Sequence, residues 1–432
     1  MNLILLELNE INFDIVQKYI DTGYDLPGFD SLIGGHLINT VAEDQYKEIE
    51  PWIQWPSVHT GLDFDGHKVF RLGDFINSNK KQFFEKVEEA GYTVGAISPM
   101  NASNKLKNPT FFIPDPWTQT ASDGSLLSSM LSSALSQAVN DNSQSRITFT
   151  SLLKLSISFI ALVKPLRYTS LVWYAITSLK KPWRKALFLD IFLFEVFKTL
   201  LSRKKPNFST IFLNAGAHIQ HHYFYNSPHV ENNKLKNPSW YLAKSEDPFL
   251  EMIIVYDKII EKLLNYSDTE IIIATGLSQK PYNHLNFYYR LVNHSSFLDD
   301  LGVSYLSVNP RMTRDFLINF KTPEDALYAE KKLSKVFVNN NVKLFNEIEN
   351  RGDSLFVVLT YSDEITQKTT IYLEDWSSLL KQYVTFVAIK NGEHQSKGFA
   401  YFSEGLIKFA PPNNSQVAKI HNTVLNFFEV PN

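Results

Sequence analysis

Three short stretches hold most of the residues whose types and spacing suit chemistry. LNAGAHIQHHYF places His218, His221 and His222 directly after an apolar run. On a helix, His218 and His222 stand at i and i+4 on one face, near enough to share a divalent ion or a phosphate. EIEPWIQWPSVHTGL gathers Glu48, Glu50, Trp52, Trp55, Ser57, His59 and Thr60. Two indoles beside a carboxylate, a hydroxyl and an imidazole suit a sugar or nucleobase pocket with an acid or base alongside. Glu7, Asn9 and Glu10 close the first apolar run, LILLEL. An acid in such a run is costly to bury unpaired, so Glu7 is expected to face the site or a cation. The plainer alternatives are histidines packed on Tyr223 and Phe224, and tryptophans that only anchor a loop. Cysteine is absent from the 432 residues, which excludes disulfides, thiolate zinc sites and a cysteine nucleophile.

The elements that must position these residues are legible as apolar runs. LILLEL, TVGAIS (93–98), FSTIFLN (208–214) and TEIIIAT (269–275) read as buried strands. Between them, KKQFFEKVEEAG and EMIIVYDKIIEKLLNYS read as helices, the first ending in a capping glycine. Strand and helix alternate, which predicts an open, largely parallel sheet covered by helices. In such sheets the site lies outside the carboxyl ends of the strands, here ELNE, LNAGAH and ATGLSQ.

Two segments break the alternation. A Ser, Asn and Gln-rich stretch near 115–145 leads into a basic, apolar one expected to form two to four amphipathic helices broken at Pro165, Pro182 and Pro206. From Arg146 to Lys205 there are twelve basic residues against Asp190 and Glu195, a balance of +10 in a chain whose net charge is -3. Charges interrupt each apolar run there, so no bilayer-spanning helix is expected. Instead 146–205 is expected to lie against an anionic membrane surface, the alternative being a helical lid whose apolar faces pack on the core or on a second subunit with the basic faces solvated. The second interruption, near 302–385, reads as a small α+β insertion. The expected organisation is core at 1–114, helical insertion at 115–206, core at 207–301, α+β insertion at 302–388 and core at 389–432. The start, MNLILLELNE, lacks the basic region of a secretory signal, which predicts a cytoplasmic protein, peripheral on the inner membrane face.

The succession of the first strand, LPGFDSLI, a Pro-rich stretch closing in HTGL, and DGH resembles the start of alkaline-phosphatase-superfamily proteins, above all the type I phosphodiesterase and nucleotide pyrophosphatase branch. YDKIIEKLLNYSDTEIIIATGLS, GEHQSKGFAYFSEG and SQVAKIHNTVLNFFEVP are similar to later parts of that family. The resemblance covers roughly 1–110, 208–300 and 390–432. It implies an alkaline-phosphatase-like α/β core and two metal ions held by Asp and His around a Thr or Ser nucleophile. Carried over by position, the first-strand Asp becomes Asn9, and the Asp-His of one metal site becomes Thr275-Gly276. The nucleophile falls near Pro51, with Ser57 the alternative after a local gap. The other metal site becomes Asn214, His218 and His394, a set for one divalent ion.

Three readings follow. The first is a divergent transferase or hydrolase acting on a phosphorylated sugar or nucleotide, such as a nucleotide sugar or lipid-linked sugar. It would have Glu7, Glu50 or His59 as base, Asn9 and Ser57 at the catalytic position, and Trp52, Trp55, Thr275 and His222 around the substrate. The second is a catalytically inactive protein that binds a phosphorylated ligand or partner. The third is an ordinary metal-dependent phosphodiesterase. Nucleic acid is not an expected partner, and a second copy of the chain is a further candidate.

Overall fold

The computed structural model describes residues 2–140, 148–231, 235–311 and 314–431. The chain divides into two units, Met1–Pro281 with Gly392–Asn432, and Tyr282–Asn391. The second unit thus opens ahead of the boundary expected at 302. The helical stretch at 115–206 is part of the first unit, and Arg146 lies outside the described residues.

Eight strands form the sheet of the first unit: β1 (Asn2–Leu8), β2 (His36–Val41), β3 (Val94–Ile97), β4 (Phe111–Ile113), β5 (Phe208–Leu213), β6 (Thr269–Ala274), β7 (Lys397–Phe402) and β8 (Ser415–Gln416). Their order is β8-β2-β7-β6-β1-β5-β3-β4. β1 runs parallel to both neighbours, β5 and β6, while β7 is antiparallel to β6 and β2. Side chains alternate along β1. Ile4, Leu6 and Leu8 enter one core with Phe197, Tyr256 and Ile260, whereas Leu3 and Leu5 enter the opposite core with Trp55, Val58 and Phe83. Burying each of these aliphatic side chains is worth about 1.5–3 kcal/mol, so the register of β1 is strongly set.

Five helices matter to function: α1 (Pro51–Thr60), α2 (Phe149–Leu162), α3 (Tyr168–Thr177), α4 (Arg184–Lys204) and α5 (Ala215–Tyr223). The EPWIQW stretch, expected as a loop, is α1. Pro51 stands at the first helical position, where its fixed φ suits a helix start, and Gly61 closes the helix at φ +74°. Pro56 lies inside the helix and cannot donate to the Trp52 carbonyl. That carbonyl accepts from Asn101 Nδ2 at 2.7 Å instead. Among the described residues, no single helix is long and apolar enough to cross a membrane.

The second unit holds two four-stranded sheets, and helix Pro323–Leu333 lies in the chain between their strands. Strands Asp315–Asn319, Ser354–Val358 and Thr370–Leu373 coincide with the runs DFLINF, SLFVVLTY and TTIYLED.

Candidate functional site

β1 ends against its two neighbours. The amide of Asn9 donates to the Leu213 carbonyl at 3.1 Å and that of Glu10 to the Thr275 carbonyl at 3.0 Å, so both residues stand at the carboxyl edge of the sheet. Glu10 adopts φ +65°, a left-handed conformation unfavourable for a residue with a Cβ and a mark of functional constraint. Gln220 Nε2 holds its carbonyl at 2.8 Å. Its side chain turns inward and is almost wholly buried.

Two imidazoles meet that carboxylate. His221 Nε2, from α5, lies 3.2 Å from Glu10 Oε2; His394 Nε2 lies 3.1 Å from the same oxygen, and the two Nε2 atoms are 3.1 Å apart. Both rings are held from behind through Nδ1, His221 by the Gly392 carbonyl at 3.3 Å and His394 by Glu50 Oε2 at 3.1 Å. With an ion bound, this would leave both Nε2 lone pairs facing inward, the tautomer that metal-bound histidines adopt when a carbonyl or carboxylate orients them. For three donors at these separations, a point about 2 Å from each lies just off their plane, the Zn–N and Zn–O bond length. The donor set therefore fits one divalent ion. With no ion bound, burial opposes charge on Glu10, but His394 and His221 outweigh it and hold the carboxyl well below the usual range. Burial likewise disfavours a charged His394, yet Glu10 and Glu50 raise it to about 10.

Asn9 locks the floor of this site. The Trp55 indole donates to Asn9 Oδ1 at 2.8 Å, which turns Asn9 Nδ2 toward Glu10 Oε1 at 2.9 Å and Asn214 Oδ1 at 2.8 Å. Asn214 thus joins the site through Asn9. The first turn of α5 is already neutralised: Asp190 accepts the amides of Asn214 at 3.2 Å and Ala215 at 2.8 Å. Burial pushes the Asp190 carboxyl up to about 6 despite those donors and the Tyr256 hydroxyl.

The remaining residues singled out in the sequence lie elsewhere. His218 is exposed, its ring 4.9 Å from that of the half-buried His222, and it is His221 that turns to His394. Glu7 and His59 form a fully buried pair at 3.3 Å, with Thr210 Oγ1 donating to Glu7 at 2.6 Å. Ser57 is buried in mid-helix, donating to the Ile53 carbonyl at 3.2 Å. Its neighbour His67, at 3.0 Å, accepts the Val69 amide through Nδ1 and so presents Nε2–H to Ser57; it is a donor there, not a base. Burial holds His67 down to about 4. Thr275 is buried and braces β7, accepting the Phe399 amide at 2.9 Å. Trp55 is fully buried under Asn9, whereas Trp52 is half-buried and donates to the Phe70 carbonyl at 3.1 Å.

Sequence reasoning named Glu10 and His221 within their clusters but gave neither a role at the site. The signal for His221 lay in helix phase: Ala217 and Gln220 are buried, which turns the adjoining His221 toward the strand ends and leaves His218 outside.

No family model and no curated protein matches the chain. Solved structures do. Phosphonoacetate hydrolase from Sinorhizobium meliloti 1021, in complex with phosphonoformate, is 12% identical over 98% of this chain and 95% of its own, with a TM-score of 0.43. Murine ectonucleotide pyrophosphatase/phosphodiesterase 5 is 9% identical over 100% and 96%, TM-score 0.43. Alkaline phosphatase from the Antarctic bacterium TAB5 is 10% identical over 100% and 99%, TM-score 0.41. All three are of the alkaline phosphatase superfamily, which the sequence resembles. At these identities the likeness is one of chain course, and any chemistry rests on the residues themselves.

Proposed function

We propose that the chain is an enzyme of phosphoester transfer or hydrolysis that uses one divalent ion held by Glu10, His221 and His394. Its substrate would be a phosphate-containing glycan precursor, a nucleotide sugar or lipid-linked sugar. The observation that carries this reading is the convergence of three ligand atoms, 3.1–3.2 Å apart, with both histidines oriented from behind. Bound there, a divalent ion polarises a phosphoryl oxygen as a Lewis acid. Glu50, part-exposed at the start of α1 and in contact with His394, is the carboxylate available to take a proton from an attacking hydroxyl or water. Neither position that the resemblance gives the nucleophile can carry a covalent intermediate: Pro51 fills the helix start, and the Ser57 proton is committed to Ile53. Direct displacement fits these parts. Trp52, half-buried two residues from Glu50, offers an aromatic surface for a sugar or base.

The second metal site of the resemblance has no counterpart in Thr275-Gly276, since Thr275 Oγ1 is engaged with Phe399, and this weighs against a two-ion phosphodiesterase. A second reading is phosphate binding without turnover, with the His221 and His394 imidazoles as donors to the anion in place of an ion. Elemental analysis together with turnover assays on nucleotide sugars and polyprenyl-phosphate sugars separates the two. One equivalent of ion with turnover that Glu10→Gln abolishes supports the enzyme; no ion and no turnover, with phosphate binding by calorimetry, supports the binding protein.

A further inference from the structure

α2 and α3 are apolar on both sides: Leu155, Phe159 and Leu162 of α2 and Tyr168, Leu171 and Tyr174 of α3 pack on the core, yet the solvent side is apolar as well. The residues that α2 buries are Ser151, Ser158 and Leu162, and Ser158 Oγ has no partner among the described residues. Its solvent side carries leucine and isoleucine. Leu153 and Ile160 are 51% and 69% exposed, Leu166 at the turn is 90% exposed, and Ile176 on α3 is 62% exposed. A helix that only covers a core turns a polar side to solvent. An apolar patch of this extent on a water-facing surface marks an interaction site.

We propose that this patch inserts into the headgroup and acyl boundary of an anionic lipid bilayer. Charge selects that occupant. No Asp or Glu occurs between Asp141 and Asp190. The basic residues divide by direction: Arg167, Lys181 and Arg184 pair with Glu195, Glu246 and Glu251, while Lys164, Lys180 and Lys185 are exposed and have no acidic partner among the described residues. A symmetric contact with a second copy would bring those lysines toward one another, whereas anionic headgroups pair with them. Geometry fits as well. The chain bends through 119° between α2 and the segment containing α3, and Leu166 lies in the bend. The two helices, about 21 Å and 15 Å long at 1.5 Å per residue, are too short to span but suited to lying in the interface plane. Trp173, part-exposed on α3 with the Arg184 guanidinium 4.2 Å from its ring centre, has the amphipathic character of an interfacial anchor.

Co-sedimentation of the full chain with phosphatidylcholine vesicles, with and without phosphatidylglycerol, tests this. Binding is expected to need phosphatidylglycerol and to weaken with salt, with a blue shift in emission that Trp173→Phe reduces. Lys164→Glu with Lys180→Glu and Lys185→Glu should weaken it about a hundredfold. Leu153→Asp with Ile160→Asp and Leu166→Asp should abolish it at any salt, with thermal melting unchanged; if that triple variant does not fold, Leu166→Asp alone is expected to weaken binding at least tenfold. Absence of binding to phosphatidylglycerol vesicles at low salt overturns the proposal. So does lipid-independent dimerisation that Leu166→Asp disrupts, which would give the patch to a second copy.

Discussion

Two carboxylates three residues apart, Glu7 on β1 and Glu10 just past its end, each meet imidazole, yet the two groups have opposite characters. Glu7 and His59 lie 3.3 Å apart with both side chains fully buried. The second Glu7 oxygen and His59 Nδ1 find no partner among the described residues. Glu10 meets two imidazoles at the sheet edge, where His221 and His394 keep 28% and 14% of their side chains exposed. Both rings there are fixed from behind, and their free nitrogens converge. Residue type is the same in both places; what differs is access and where the lone pairs point. The buried pair specifies how α1 sits on the sheet, and the edge cluster is built to hold something else.

The largest effect expected from breaking that contrast is at the edge. Glu10→Gln should remove stoichiometric ion binding and lower turnover by about three orders of magnitude, read by elemental analysis and steady-state kinetics on an identified substrate. His59→Ala does the reverse. It strands the Glu7 carboxylate in the core and should cost about 3–5 kcal/mol by denaturant unfolding, with ion stoichiometry unchanged. If His59→Ala releases the ion while stability holds, the two groups have been assigned the wrong way round.

Acid probes buried histidines that serve the fold alone. Burial pushes His67 down to about 4 and His421 down to about 3, and His421 Nε2 lies 3.0 Å from Lys86 Nζ. The unfolded chain takes up these protons near pH 6.5 and the folded chain does not. Stability should therefore be full above about pH 6.5 and fall as pH drops toward 4, by up to about 3 kcal/mol per histidine. His421→Gln should flatten that slope in urea titrations at stepped pH.

Smaller effects sharpen the comparison. Glu50→Gln, which removes both the support behind His394 and the proposed base, should weaken ion affinity about 10- to 100-fold by competition with a chelator and lower turnover as well. Ser57→Ala, inside α1, should change stability by about 1 kcal/mol or less and leave turnover intact. A collapse of turnover in that variant would restore Ser57 as a nucleophile.

Much of the sheet was legible because a parallel strand buried on both faces reads as an unbroken apolar run: LILLEL, FSTIFL and TEIIIA became β1, β5 and β6. The helical reading of LNAGAHIQHHYF also corresponds to α5, with His218 and His222 edge to face at i and i+4. The cluster itself was not legible. Glu10, His221 and His394 come from three segments far apart in sequence, and no local period encodes their meeting. α1 was read as a loop; Asn101 supplies the donor that makes the second proline tolerable inside the helix, and it is remote in sequence.

The Trp55–Asn9 hydrogen bond has a consequence for how the site counts protons. An indole nitrogen can only donate, so it always faces the oxygen of residue 9, and the other end of that side chain always faces Glu10. Asparagine and aspartate have nearly the same outline, so shape cannot distinguish them at this position. The distinction is electrical: Asn9→Asp would turn a donated hydrogen bond 2.9 Å long into two facing carboxylate oxygens, tolerable only if a proton or additional positive charge came with it. Residue 9 thereby bears on the charge the site can hold: asparagine adds none beside Glu10, so the ion proposed above would be shared among one carboxylate and two neutral rings.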